Sequence, residues 1–117
     1  MGIRERKLSK SFGAYLEQEV KTGAAWINGE PIYRAVIDCG ALPNATTKNV
    51  AHGLTFGTAI DLRGYSTEST NWIPLPYVDT STTSLVELRI TATNIVLVTA
   101  VNLSSYTETY VIVEYIK

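Results

Sequence analysis

LVELRITATNIVLVTAV, residues Leu85 to Val101, alternates and then turns back on itself. Val86, Leu88 and Ile90 fall on one side of an extended chain, and Glu87 and Arg89 on the other. That is the period-two pattern of a half-buried strand. Thr93-Asn94 interrupts it, and Ile95 to Val101 returns as a second β-branched run. Pairing Leu85–Ala92 with Ile95–Val101 predicts a tight hairpin. Asn94 suits the left-handed backbone that such a turn favours.

Working outward, the same grammar recurs. Tyr106 to Ile116 is a long strand with Tyr110, Ile112 and Ile116 on one face and Val111, Val113 and Tyr115 on the other. A strand apolar on both faces belongs at the centre of a sheet, or has its second face covered by another subunit. Upstream, Ile32–Cys39 and Thr46–His52 read as strands, separated by Gly40, Pro43 and Asn44. In Thr58–Ser66, Ile60 and Leu62 point one way and Asp61 and Arg63 the other. Asn71–Val78 carries Pro74 and Pro76, which withhold two N–H donors and place it at a sheet edge or in irregular structure. About six or seven short strands with no crossover helix predict an all-β chain, an antiparallel β-sandwich or jelly-roll-like domain. It spans residues 19–117, behind an N-terminal arm of residues 1–18.

The arm is polar, with Ile3, Leu8, Phe12 and Leu16 recurring every four or five residues and Tyr15 alongside. A free helix this short is marginal in water, so the segment reads either as a disordered tail or as an arm that orders when its apolar stripe meets a partner. Residues 1–18 carry a net +2 and residues 19–117 a net -3. With no dominant basic patch, nucleic acid is not an expected partner. No apolar run reaches the roughly 18 residues of a membrane span, the basic N-terminus lacks the apolar stretch of a signal peptide, and no membrane partner is expected. The 117 residues carry 18 % charged side chains, below the roughly 25 % of ordinary soluble domains. A chain of this size benefits from hiding surface in an assembly.

Catalytic and metal chemistry find little to work with. Cys39 is the one cysteine, so no intrachain disulfide forms; it reads as a small buried hydrophobe. His52 is the one histidine, which rules out the usual zinc sets within one chain. It reads as a hydrogen-bonding residue at a strand-to-loop corner; a ring of three copies at a symmetry axis is the functional alternative. No Gly-x-Ser-x-Gly elbow or phosphate-binding glycine loop is present. The acids sit singly, as on a solvated face, so neither an enzyme nor a cofactor is expected. Trp26, Trp72, Tyr77 and Tyr106 flank loops, where aromatics cap a core, anchor an interface or stack on sugars.

Residues Lys21-Thr22-Gly23, Trp26, Asn28-Gly29, Pro31 to Arg34, Gly40 to Asn44 and Val50 to Gly53 follow a shared order, continued by Trp72 to Tyr77, Asn94 to Val96, Ser105 to Thr107 and Tyr110 to Tyr115. Over residues 19–117 the chain resembles the C-terminal β-domains of tailed-bacteriophage head-fibre and tail-fibre proteins. Glu30 stands where that pattern often has a lysine. The resemblance implies a structural domain of the virion, made in the bacterial cytoplasm and commonly homotrimeric; it carries over no catalytic residue. Where relatives have a long shaft, this chain has roughly eighteen residues, which suits a capsid decoration or short head-fibre protein.

The resulting expectations are specific. Arg4, Arg6, Lys7, Leu8, Phe12 and Tyr15 would anchor the chain to the major capsid protein or another virion protein. Trp26, Tyr106, Val111, Val113 and Tyr115 would form the oligomer interface. Trp72 and Tyr77 would contact a host cell-surface glycan, if the domain is instead a receptor-binding tip. WINGEPIYR, Trp26 to Arg34, reads as a turn at Asn28-Gly29 feeding the first strand, with Pro31 at its start and Trp26 packed on the domain or a neighbouring copy.

Overall fold

The computed structural model describes residues 13–81 and 83–117. Among them are eight strands: β1 (Val20–Ala25), β2 (Pro31–Asp38), β3 (Thr47–Ala51), β4 (Thr58–Glu68), β5 (Asn71–Leu75), β6 (Val86–Ile90), β7 (Asn94–Thr99) and β8 (Glu108–Ile116). They form a five-stranded sheet in the order β1-β2-β8-β4-β5 and a three-stranded sheet in the order β3-β7-β6. Every pairing is antiparallel. The two sheets pack face to face, so the chain is an antiparallel β-sandwich.

The strand that the sequence reading missed is β1. Its residues, VKTGAA, are poor strand formers, and the ladder to β2 is irregular between Lys21 and Ala25. Partner strand β2, not local preference, holds it extended. The turn between them is the WINGE segment. The Trp26 amide donates to the Glu30 carbonyl at 2.8 Å, and Asn28 Oδ1 accepts from the Glu30 amide at 3.0 Å. Gly29 sits at φ +88°, where a Cβ would be strained. This turn therefore closes a hairpin instead of opening the first strand.

β8 lies at the centre, between β2 and β4. Val111, Val113 and Tyr115 are each fully buried and pack with Ala35 and Ile37 of β2, Ile73 and Leu75 of β5, Val86 of β6 and Ile95 and Leu97 of β7. This corrects the expectation that the three form an oligomer interface. The three-stranded sheet covers them within the chain, and the opposite face of β8 is the one left on the solvent side.

Local details follow from close approach. Gly64 faces Val111 across the ladder; a Cβ there would lie 2.5 Å from the Tyr110 carbonyl oxygen, so only glycine fits. Ser66 and Thr109 are fully buried and satisfy each other at 2.7 Å, Ser66 Oγ also reaching the Glu108 carbonyl at 3.0 Å. The register shifts between Ala59 and Asp61. Ile60 is thus a bulge residue, and Ala59 and Leu62, opposite Tyr115 and Val113, take the core positions. Of the two outcomes expected for Asn71–Val78, the edge holds: β5, which contains Pro74, is an edge strand.

The β6–β7 hairpin forms with Ile90 opposite Ile95, but its turn works differently from the expectation. Asn94 is not left-handed; among the described non-glycine residues only Ala45 and Ser69 have positive φ. Instead Thr91 Oγ1 accepts from the Asn94 amide at 3.0 Å and the Thr91 amide donates to the Asn94 carbonyl at 2.8 Å. A side-chain hydroxyl closes the loop in place of a left-handed residue.

Candidate interaction surface

Because Val111, Val113 and Tyr115 point inward, Tyr110, Ile112 and Glu114 must point out. Their ladder partners share that outer face: Val36 and Tyr65 beside Ile112 and Tyr110, and Arg34 and Asp61 beside Glu114. The Tyr65 and Tyr110 rings lie 6.0 Å apart at 37°. Together with Tyr15, the residues Val36, Tyr65, Tyr110 and Ile112 line a groove of about 280 Å³. Tyr65 is 38 % exposed and Tyr15 55 %. This small aromatic groove on the solvent side of the larger sheet is the candidate surface.

One wall of this groove comes from the segment before β1. The Leu16 carbonyl accepts from the Val36 amide at 2.9 Å. Arg34 is the clamp. Its Nε and Nη2 donate to Glu114 Oε2 at 2.9 and 2.8 Å, its Nη1 donates to the Gly13 carbonyl at 2.9 Å, and its guanidinium lies 4.1 Å from the centre of the Tyr15 ring. Arg63 Nη2 donates to the Tyr15 hydroxyl at 3.3 Å. Tyr15, expected on a free arm, is therefore fixed to the body. Arg4, Arg6, Lys7, Leu8 and Phe12 lie outside the described residues.

Acids crowd the other rim. Asp38 first, then burial, then Glu108 and Glu17, push the Tyr110 hydroxyl above its usual pKa. Among the described residues the ion pairs are Arg34–Glu114, Arg63–Asp61, Arg89–Glu87 and Lys117–Glu19. None of them uses Glu17, Asp38 or Glu108; Asp38 Oδ1 accepts from the Gly40 amide at 3.0 Å.

The remaining expected contacts are scattered. Trp26 stands at the β1–β2 turn, 37 % exposed, beside Ile27 at 90 %. Tyr106 packs partly against the core, its hydroxyl accepting from Asn71 Nδ2 at 2.8 Å. Trp72 is 64 % exposed on the outer face of β5, where it is paired with Thr67. Tyr77 packs against the core and its backbone bridges to Val86. Trp72 and Tyr77 are thus not presented together as one sugar platform. Sequence reasoning missed Val36, Tyr65, Tyr110 and Ile112 as a surface. The available signal was the two-faced apolar pattern of β8, which identifies two dry faces without saying which one the second sheet covers.

The titratable groups inside the body have structural work. His52 Nδ1 accepts from the Leu54 amide at 3.0 Å, and Nε2 lies 2.9 Å from the Thr91 carbonyl. A carbonyl only accepts, so Nε2 is the donor in that contact. His52 thereby ties the loop after β3 to the β6–β7 turn, as a corner residue. Burial pushes the Cys39 thiol up to about 11. The Tyr115 hydroxyl donates to Glu19 Oε1, and Lys117 Nζ to Glu19 Oε2 at 2.8 Å. Burial, then the Glu19 bond, raises the Tyr115 pKa. Burial opposes ionisation of Glu19, but the bonds from Lys117 and Tyr115 outweigh it and hold that carboxyl below its usual range.

Among the described residues no group of three or more His, Cys, Asp or Glu side chains is placed to hold a metal ion, and no helix is long and apolar enough to cross a membrane. Comparison with protein-family models, curated proteins and solved structures finds no match to this chain.

Proposed function

We propose that the chain is a structural virion protein of a tailed bacteriophage, a capsid decoration or short head-fibre protein. In this reading it self-associates through its β-domain and is mounted on the particle through its N-terminal segment. The observation that carries the assembly part is the outer groove: Tyr15 and Tyr65 are exposed and Val36, Tyr110 and Ile112 only half-buried although the core is complete between the sheets. A surface of that composition is suited to a macromolecular contact. The phage assignment rests on the sequence resemblance. The test is a protein inventory of purified particles by mass spectrometry. The chain is expected among the virion proteins, and a variant lacking residues 1–12 is expected to be missing from them. Particles that never contain the full chain overturn the reading.

A second reading, a receptor-binding tip, is favoured by Trp72, which lies 64 % exposed on the outer face of β5. A flat indole there is suited to stacking on a sugar ring. Glycan-array binding that is lost in Trp72→Ala would support this reading, and silence across the array would remove it.

A further inference from the structure

We infer that the outer groove is the receptor for the N-terminal segment of a second copy of this chain, with Leu8 and Phe12 supplying the apolar contact and Lys7 and Lys10 facing the acidic rim. The inference concerns the protein in solution and does not depend on the virion assignment.

Three observations carry it. The first is charge. Residues 1–12 hold four bases and one acid, whereas residues 13–117 hold six bases and ten acids. Asp38 stands opposite Tyr110 in the β2–β8 ladder and Glu108 lies two residues before it on β8; with Glu17 they raise the Tyr110 pKa, and none of the three takes part in the ion pairs among the described residues. The body is thus net acidic, its groove-side cations Arg34 and Arg63 are engaged with Glu114, Asp61 and Tyr15, and the segment is net basic.

The second is where the described chain begins. Gly13 sits at the margin of the groove, its carbonyl held by Arg34. Traced backwards, the backbone passes from Val36, which bonds Leu16, to Lys21, whose carbonyl accepts from the Gly13 amide at 3.4 Å. It is therefore leaving the groove over β1 when it reaches Gly13. To fill its own groove the segment must reverse direction, whereas a groove on a neighbour is met by continuing outward.

The third is reach. Twelve extended residues span up to about 40 Å. The molecule measures 51 × 32 × 24 Å, so the segment is long enough to cross the shorter dimensions of an adjacent copy. With each copy giving one segment and receiving one, the contacts reinforce each other around a closed assembly.

The experiment uses the purified full-length chain with a photo-crosslinking amino acid in place of Leu8. Isotopically heavy and light chains are mixed, irradiated and mapped by mass spectrometry. The expected product is a covalent dimer joining heavy to light chains, with the crosslink at Tyr65, Tyr110 or Ile112. Glu17→Lys with Glu108→Lys should lower the yield about tenfold, since attraction becomes repulsion at an exposed rim. Adding Lys7→Glu and Lys10→Glu should restore it. Both acid substitutions are on exposed side chains outside the ion pairs, and circular dichroism verifies that the variants fold. Crosslinks confined to one chain, crosslinks to another surface, absence of crosslinking, or a yield insensitive to the charge reversals overturns the inference.

Discussion

Replacing Arg34 by methionine tests whether the guanidinium is what holds the pre-β1 segment on the sheet. The stem and its packing are largely retained; the charge and five donors are lost. Arg34 and Glu114 side chains are only 12 % and 19 % exposed, with two contacts below 3 Å to one carboxylate oxygen. Breaking a fully buried pair costs roughly 3–5 kcal/mol, because the orphaned charge stays desolvated. Partial exposure of Glu114 reduces that to about 2–3 kcal/mol, and at this chain length the melting temperature should fall by roughly 10 °C. The loss has a local signature too. The Gly13 bond and the Tyr15 ring contact go with the guanidinium, so the Val36 amide, bonded to Leu16, should exchange faster with solvent than amides of β7. Urea unfolding and amide hydrogen exchange read the two effects. Glu114→Gln in the same chain should recover part of the stability, because no buried charge is then left alone, but should not restore Val36 protection. A single variant within about 0.5 kcal/mol of the parent, the scale of an ordinary surface change, would refute the clamp. So would Val36 protection that is unchanged.

Three further outcomes follow from the same geometry. Gly64→Ala should destabilise by at least about 1–3 kcal/mol, the range for overpacking, because the obstacle is the Tyr110 carbonyl and not a flexible side chain; chemical denaturation measures it. The Glu19 carboxyl is held below its usual pKa by the bonds from Lys117 and Tyr115, so the folded chain takes up a proton less readily than the unfolded one and stability falls as pH drops below about 4.5. Tyr115 is shifted up from 10.0, so the folded chain keeps a proton that the unfolded chain sheds, and stability falls as pH rises above about 10. Thermal melts against pH should show both limbs, and Tyr115→Phe should flatten the alkaline one. Cys39, with its thiol raised to about 11 by burial, should react with a thiol reagent at pH 8 far more slowly in the native chain than in denaturant; equal rates would place it at the surface.

Much of the architecture was legible from residue order because period-two alternation is a local property. Val86, Leu88 and Ile90 against Glu87 and Arg89 identified β6, Pro74 and Pro76 pointed to an edge or an irregular segment, and the two apolar faces of Tyr106–Ile116 pointed to a central strand or one covered by another subunit. His52 and Cys39 could be read as structural because each was the one residue of its type. Strand β1 was not legible, since VKTGAA is extended only by its pairing with β2. Nor was the Thr91 hydroxyl closure of the β6–β7 turn, which competes on equal local terms with a left-handed asparagine.

By itself, then, the amino-acid order determined that this chain builds antiparallel strands, that Tyr106–Ile116 runs through the middle, and that its charge is divided between a basic N-terminal segment and an acidic body. Tertiary structure decided which side of the central strand is inside. Alternation says that Val111, Val113 and Tyr115 oppose Tyr110 and Ile112, and both sets are apolar enough to be buried. Only the packing of β3, β7 and β6 against the first set breaks the tie, leaving Tyr110 and Ile112 outside, with Val36, Tyr65 and Tyr15, as the exposed groove. The physical reason is range: side-chain parity is fixed by neighbouring residues, whereas the choice of covered face is made by strands tens of residues away.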